Sequence, residues 1–134
     1  MKEKWKTITH FPKMKISSMG RVRGVKCIRR FFLNSDGYYT VQLSNSTKDK
    51  KTCLVHRLVA LHFCKKKKGL NYVDHINHIK TDNGAINLRW VTNKQNIQNR
   101  LFLSTKLLKE IQKFFSSGKS AVEISKHYQV YHRK

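Results

Sequence analysis

Asp74 and His75 stand side by side in the stretch YVDHINHIKTDNGAINLRWVTNKQN, and Asn87 and Asn96 follow at short spacing. Hydrolysis of a phosphodiester needs a nucleophile made at neutral pH, charge neutralisation at phosphorus and help for the departing oxygen. Histidine suits the first task, because its unperturbed pKa of about 6.5 lets it take a proton from water near pH 7. A hard divalent cation suits the other two, and oxygen donors select one. Asp74 offers a carboxylate and Asn96 an amide carbonyl, a pair suited to Mg²⁺ or Mn²⁺ with positions left for water and phosphate. The set therefore assigns His75 as general base and Asp74 and Asn96 as metal ligands. Asn87, where a loop re-enters the next strand, would bridge loop backbone groups and hold His75 in orientation. Asp82 and Asn83 read as turn residues only, and Trp90 as core.

The rest of the chain is built to meet a polyanion. Against 29 Lys and Arg stand 7 Asp and Glu, a formal net charge of +22 at pH 7. That excess is beyond what solubility requires, and it is spread along the sequence, which favours nucleic acid as partner. Membrane is excluded as a medium: there is no run of about 18 apolar residues, and MKEKWKTITH lacks the apolar core of a signal peptide. A soluble, intracellular protein without a small-molecule substrate is expected. Cys27, Cys53 and Cys64 are odd in number and scattered, which argues against a disulfide framework. Cys53, His56 and Cys64 as zinc ligands remain the lesser reading beside buried free thiols.

The elements that must position these residues form an α+β chain. Asp36-Gly37 predicts a two-residue hairpin turn between a strand over Cys27 to Leu33 and one in which Tyr39, Val41 and Leu43 alternate with Tyr38, Thr40 and Gln42. Cys53 to Val55 would pair on the far side. Arg21-Val22-Arg23, between Gly20 and Gly24, would be a short strand with both arginines on one face. HRLVALHFC, His56 to Cys64, has helical spacing and ends in the lysine run Lys65 to Lys68, which serves helix capping, phosphate contact or both. Short strands follow around Val73 and over Leu88 to Val91. Thr92 and Gln95 form a capping box for a helix carrying Asn96. Leu107, Leu108, Ile111, Phe114 and Phe115 then repeat at helical spacing up to Gly118, and Ser120 with Glu123 opens a second helix containing Ile124 and Tyr128. This reads as the start of a helix-turn-helix without room for a third helix before Lys134, or as a plain helical hairpin.

Taken together, VHRLVALHFC, VDHINHIKTDNGAINLRWVTNKQNIQN and the N-terminal features Trp5, Phe11-Pro12, ISSMGRV (Ile16 to Val22) and Asp36-Gly37-Tyr38-Tyr39 resemble the HNH homing endonucleases encoded within phage self-splicing introns. The resemblance implies three parts: a β-rich DNA-binding module over 1–54, a ββα-metal nuclease core over 55–102 and a partial helix-turn-helix tail over 103–134. It implies an elongated monomer that cuts double-stranded DNA at a specific site with one metal ion, in the cytoplasm of a phage-infected bacterium. One active site per monomer implies nicking of one strand, leaving 5′-phosphate and 3′-hydroxyl ends. Arg21, Arg23, Arg29, Arg30, Lys65, Lys66, Lys67, Lys68 and Arg100 are the candidate DNA contacts. The chain departs from its relatives at His78-Ile79, where they turn on Gly-Asn, which implies a less regular hairpin beside the site.

Two other readings use the same residues. One is a DNA-binding protein or regulator without catalysis. The other is an RNA-binding sheet with Phe31, Phe32, Tyr38 and Tyr39 as stacking platforms, although hairpin aromatics are more often core.

Overall fold

A computed structural model describes residues 2–45 and 50–118. They form eight strands and two α-helices: β1 (Trp5–Ile8), β2 (Phe11–Ser17), β3 (Val22–Arg23), β4 (Phe32–Leu33), β5 (Tyr39–Ser44), β6 (Lys50–Leu54), α1 (Val55–Phe63), β7 (Tyr72–His75), β8 (Leu88–Val91) and α2 (Asn93–Ser116). A 3₁₀ turn, Ala85–Asn87, leads into β8. The strands make three antiparallel sheets, ordered β1-β2-β3, β4-β5-β6 and β7-β8. The architecture is the expected α+β.

The chain falls into two compact units, residues 1–93 and 94–134. The sequence boundary between 54 and 55 lies within the first unit, at the passage from β6 into α1. There the β-rich segment and the DH hairpin share one core. Val55, Leu58 and Val59 recur at helical spacing and present one apolar stripe of α1. That stripe packs in a single cluster with Ile8, Phe11, Met14, Ile16 and Val22 of the first sheet, Val41 and Leu43 of the second, and Leu88 of the third. Each such side chain removed from water contributes about 1.5–3 kcal/mol. Helix α1 is thus the hub against which the DH hairpin and the N-terminal sheets are fixed to one another.

Several local expectations are corrected. The strand over Cys27 to Leu33 shrinks to Phe32–Leu33, preceded by an isolated bridge between Arg23 and Ile28. The turn at Asp36-Gly37 is longer than two residues. Asn34 N–H donates to Tyr38 O at 3.0 Å, and Gly37, at φ +78°, is the turn's left-handed residue. Glycine takes that φ without steric cost. The Asn34 side chain closes the turn by accepting from Tyr38 N–H at 2.8 Å, which explains why a longer loop was favoured. Strand β6 does pair with β5 on the far side from β4, and α2 starts directly after Thr92. That helix runs unbroken through the expected boundary at 102/103 to Ser116, with Gly118 just beyond. The side chains of Leu107, Ile111, Phe114 and Phe115, and the second capping box at Ser120–Glu123 with Ile124 and Tyr128, lie outside the described residues; Leu108 is exposed. No helix among the described residues is long and apolar enough to cross a membrane.

Candidate functional site

The DH pair closes β7, and the pleat separates its members, since successive strand side chains point to opposite faces. Asp74 sits opposite Arg89 in the β7-β8 register, and His75 opposite Leu88. Across that pair Asp74 Oδ2 accepts from Arg89 Nη2 at 2.7 Å and from Nε at 2.9 Å, with the carboxylate largely buried and the guanidinium half exposed. His75 faces inward and is buried at 5% exposure. Its Nε2 lies 3.1 Å from Asn83 Oδ1. Its ring stacks with Tyr38 (centroids 6.0 Å apart) and meets His56 of α1 edge-on at 5.2 Å.

The loop between the strands, residues 76–87, is cross-braced by amides. Asn87 is buried, its Oδ1 accepts from Asn77 N–H at 2.9 Å, and its Nδ2 donates to Asp82 O at 2.8 Å and Asn77 Oδ1 at 2.9 Å. The Asn87 carbonyl also receives Ile76 N–H at 2.8 Å. Asn87 therefore ties together the two ends of the loop that carries His75 and does not itself touch the His75 ring through any of these bonds. Asp82 accepts from Asn77 Nδ2 at 2.7 Å. His78 holds a left-handed backbone, φ +63°, with its N–H donating to His75 O at 3.0 Å. A β-carbon there costs roughly 1 kcal/mol or more relative to glycine, so the departure from Gly-Asn is borne as backbone strain beside the site.

Three groups at the site were not legible as such. Asn83, read as a turn residue, is buried against His75. Tyr38, read as a hairpin aromatic, packs on both imidazoles, 4.8 Å from His56 and 6.0 Å from His75 between centroids, with Lys80 Nζ 5.0 Å over its ring. His56 is buried, and its Nδ1 has no hydrogen-bond partner. Burial first, then the neighbouring His75 and Arg57, push its pKa down to about 4, so the ring is neutral at pH 7. Chain separation hid Tyr38 and His56, which come from stretches that no local motif joins to the hairpin, whereas Asn83 lies within the hairpin and was hidden by its turn-like residue type.

The alternative zinc reading of Cys53, His56 and Cys64 does not gather. Cys64 Sγ lies near the carbonyls of Leu88 (3.4 Å) and Ala85 (3.6 Å), and among the described residues no three His, Cys, Asp or Glu side chains form a metal-binding group. Burial pushes the thiols of Cys53 and Cys64 up, while Cys27 is exposed, contrary to the expectation of three buried thiols. Of the aromatics, Phe31 and Tyr39 pack against the core and each other, with centroids 5.7 Å apart, whereas Phe32 is exposed.

The candidate DNA contacts differ in availability. Arg23, Arg30 and Lys65 to Lys68 are exposed, and Arg29 is half-buried. Arg21 and Arg23 both lie over the Trp5 ring, at 5.7 and 4.9 Å, as a shared strand face requires. The Arg21 guanidinium is also engaged by Glu3, whose carboxyl it holds below the usual range. Lys66 Nζ sits 4.7 Å over Trp90, a core residue whose Nε1 donates to Ala60 O at 3.2 Å. In the second unit, Asn96 is the fourth residue of α2 and half-buried, and Arg100 is exposed.

Residues 3–44 match the NUMOD4 motif. Over 104 residues the chain is 36% identical to DNA endonuclease I-HmuI of Bacillus phage SP01, covering 75% of this chain and 59% of that protein. It is 39% identical over 113 residues to an uncharacterized HNH endonuclease of Acanthamoeba polyphaga mimivirus, covering 78% of this chain and 28% of the other. Among solved structures, one of DNA binding and cleavage by the HNH homing endonuclease I-HmuI superposes with a TM-score of 0.68 at 33% identity, covering 84% of this chain and 68% of that one.

Proposed function

The chain belongs to the HNH homing endonuclease family, and on that premise we propose that it is a site-specific, metal-dependent DNA endonuclease that nicks one strand of a duplex. The observation that carries the reading is the inward-facing His75 at the end of β7, gripped at Nε2 by Asn83 and adjacent in sequence to the carboxylate of Asp74.

The donor chemistry fits a hard divalent ion, Mg²⁺ or Mn²⁺: Asp74 would supply a carboxylate oxygen and Asn96 an amide oxygen. Such an ion supplies Lewis-acid polarisation of the scissile phosphate and charge neutralisation for the departing oxygen. His75 takes the proton from the attacking water, and Asn83 steadies the ring as it does so. Asn87 keeps the loop closed so that the ring cannot swing away from the strand. Attack at phosphorus with loss of the 3′ oxygen leaves 5′-phosphate and 3′-hydroxyl ends. Arg23, Arg29, Arg30, Lys65 to Lys68 and Arg100 hold phosphates along the duplex; Arg21 does so only by leaving Glu3. The protein works as a monomer in the cytoplasm of an infected cell, on the gene its intron interrupts.

A second reading, DNA binding without cutting, draws on the Asp74–Arg89 ion pair, which places a protein cation on the carboxylate the metal would use. A supercoiled-plasmid assay with Mg²⁺ or Mn²⁺ separates the two. Nicking by the wild type, lost in His75→Ala with DNA affinity kept, supports the nuclease. A wild type that binds duplex DNA with steep salt dependence and never cuts under either ion leaves the binding reading in its place.

A further inference from the structure

We propose that Asn83 is a positioning residue that fixes His75 as its Nε2–H tautomer, and that the N-terminal segment takes part in this through Gly20. The inference rests on His75 being the base.

An amide oxygen can only accept a hydrogen bond, so a ring nitrogen 3.1 Å from Asn83 Oδ1 must carry the proton. The orientation of that amide is set from its other end, where Nδ2 donates to Thr81 O at 3.3 Å. Flipping the amide would bring Oδ1 against the Thr81 carbonyl oxygen, two acceptors face to face, and turn the NH2 group toward the ring. With Nε2 protonated in the neutral ring, the lone pair that takes a proton from water is on Nδ1.

Asn83 is held by the segment that matches the N-terminal motif. Gly20 lies at φ +84°, and a β-carbon there would stand 2.9 Å from Asn83 Cβ and 3.1 Å from Asn83 O. Neither contact can relax cheaply, because backbone and a buried Cβ are involved. Two residues on, the chain is pinned to the same turn: Ala85 N–H donates to Ser18 O at 2.8 Å. The Ser17–Arg21 turn is itself closed by Ser17 Oγ, which accepts from Arg21 N–H at 2.9 Å. The glycine turn is therefore a mould that seats Asn83, and Asn83 seats the ring. A segment otherwise assigned to DNA contact is part of what sets the tautomer of the base.

The test is long-range ¹H–¹⁵N spectroscopy of the imidazoles in the intact, metal-free chain near pH 8, with the His75 signals assigned by their disappearance in His75→Gln. The wild type should show His75 as Nε2–H; an Nδ1–H ring overturns the proposal whatever the activity. Asn83→Leu should give a mixture of tautomers and lower kcat tenfold or more at unchanged DNA affinity, while Asn83→Asp, which keeps an acceptor, retains Nε2–H. Gly20→Ala should shift the tautomer in the same direction as Asn83→Leu. If Asn83→Leu does not fold, the wild-type tautomer and Gly20→Ala decide the matter. A folded Asn83→Leu that keeps a pure Nε2–H ring, or kcat within twofold, refutes the role of Asn83. Undiminished cleavage by His75→Ala refutes the base assignment instead, and the tautomer measurement stands apart from it.

Discussion

His56 should make the fold acid-sensitive in a window that one substitution removes. In the folded protein its pKa lies near 4, against about 6.5 for an exposed histidine, because the ring is buried between Tyr38 and His75 and its Nδ1 has no partner. Since the folded value is the lower one, the unfolded chain binds a proton between about pH 6.5 and 4 that the folded chain excludes. Stability is therefore complete above the unfolded value and falls as pH drops toward the folded one. The separation corresponds to roughly 3 kcal/mol when fully expressed, of which about 2 kcal/mol is gone by pH 5. That is a large share of the 5–15 kcal/mol typical of a domain. His56→Phe keeps a ring in the same space without a titrating group. Urea unfolding of both proteins at pH 7 and pH 5 should show an acid loss smaller by about 2 kcal/mol in the variant. At pH 7 the variant should be at least as stable as the wild type, since an unpartnered buried nitrogen costs about 1–3 kcal/mol. Equal acid losses in the two proteins would refute the burial argument.

Three further outcomes are expected. Asn87→Ala removes three side-chain hydrogen bonds within one loop and should cost about 2–4 kcal/mol in denaturant unfolding; a loss under 0.5 kcal/mol would show that the loop does not depend on them. His78→Gly relieves the positive φ at that residue and should raise stability by about 0.5–1 kcal/mol, after the extra chain entropy of glycine is allowed for; a lower melting temperature would contradict the strain. Arg30→Ala should reduce the slope of log affinity for duplex DNA against log salt by about one, whereas Arg21→Ala, whose guanidinium is engaged by Glu3, should change it by much less. Equal changes would remove the distinction between them.

What could be read in the sequence was whatever repeats at a fixed spacing or sits in one short motif. The apolar period of α1, the alternation of Val41 and Leu43 and the Thr92 start of α2 depend on neighbours within a few residues, the pairing of β7 with β8 on one short hairpin, and all are found. The DH pair and Asn87 share a single hairpin, so their proximity was legible too. His56 and Tyr38 were not, because their relation to His75 is set by packing across 19 and 37 positions, while Asn83, inside the same hairpin, was passed over because its residue type and place read as a turn. The Asp36-Gly37 turn failed for a different reason: a competing side-chain acceptor, Asn34, closes a longer loop that the dipeptide alone does not reveal. Strand period and helix period say which face of an element is apolar, but a polar side chain that ends up buried is placed by its partner, and the partner lies in another element. A buried asparagine such as Asn83 costs free energy unless it is hydrogen-bonded, so its burial against His75 carries more information about function than its sequence context does.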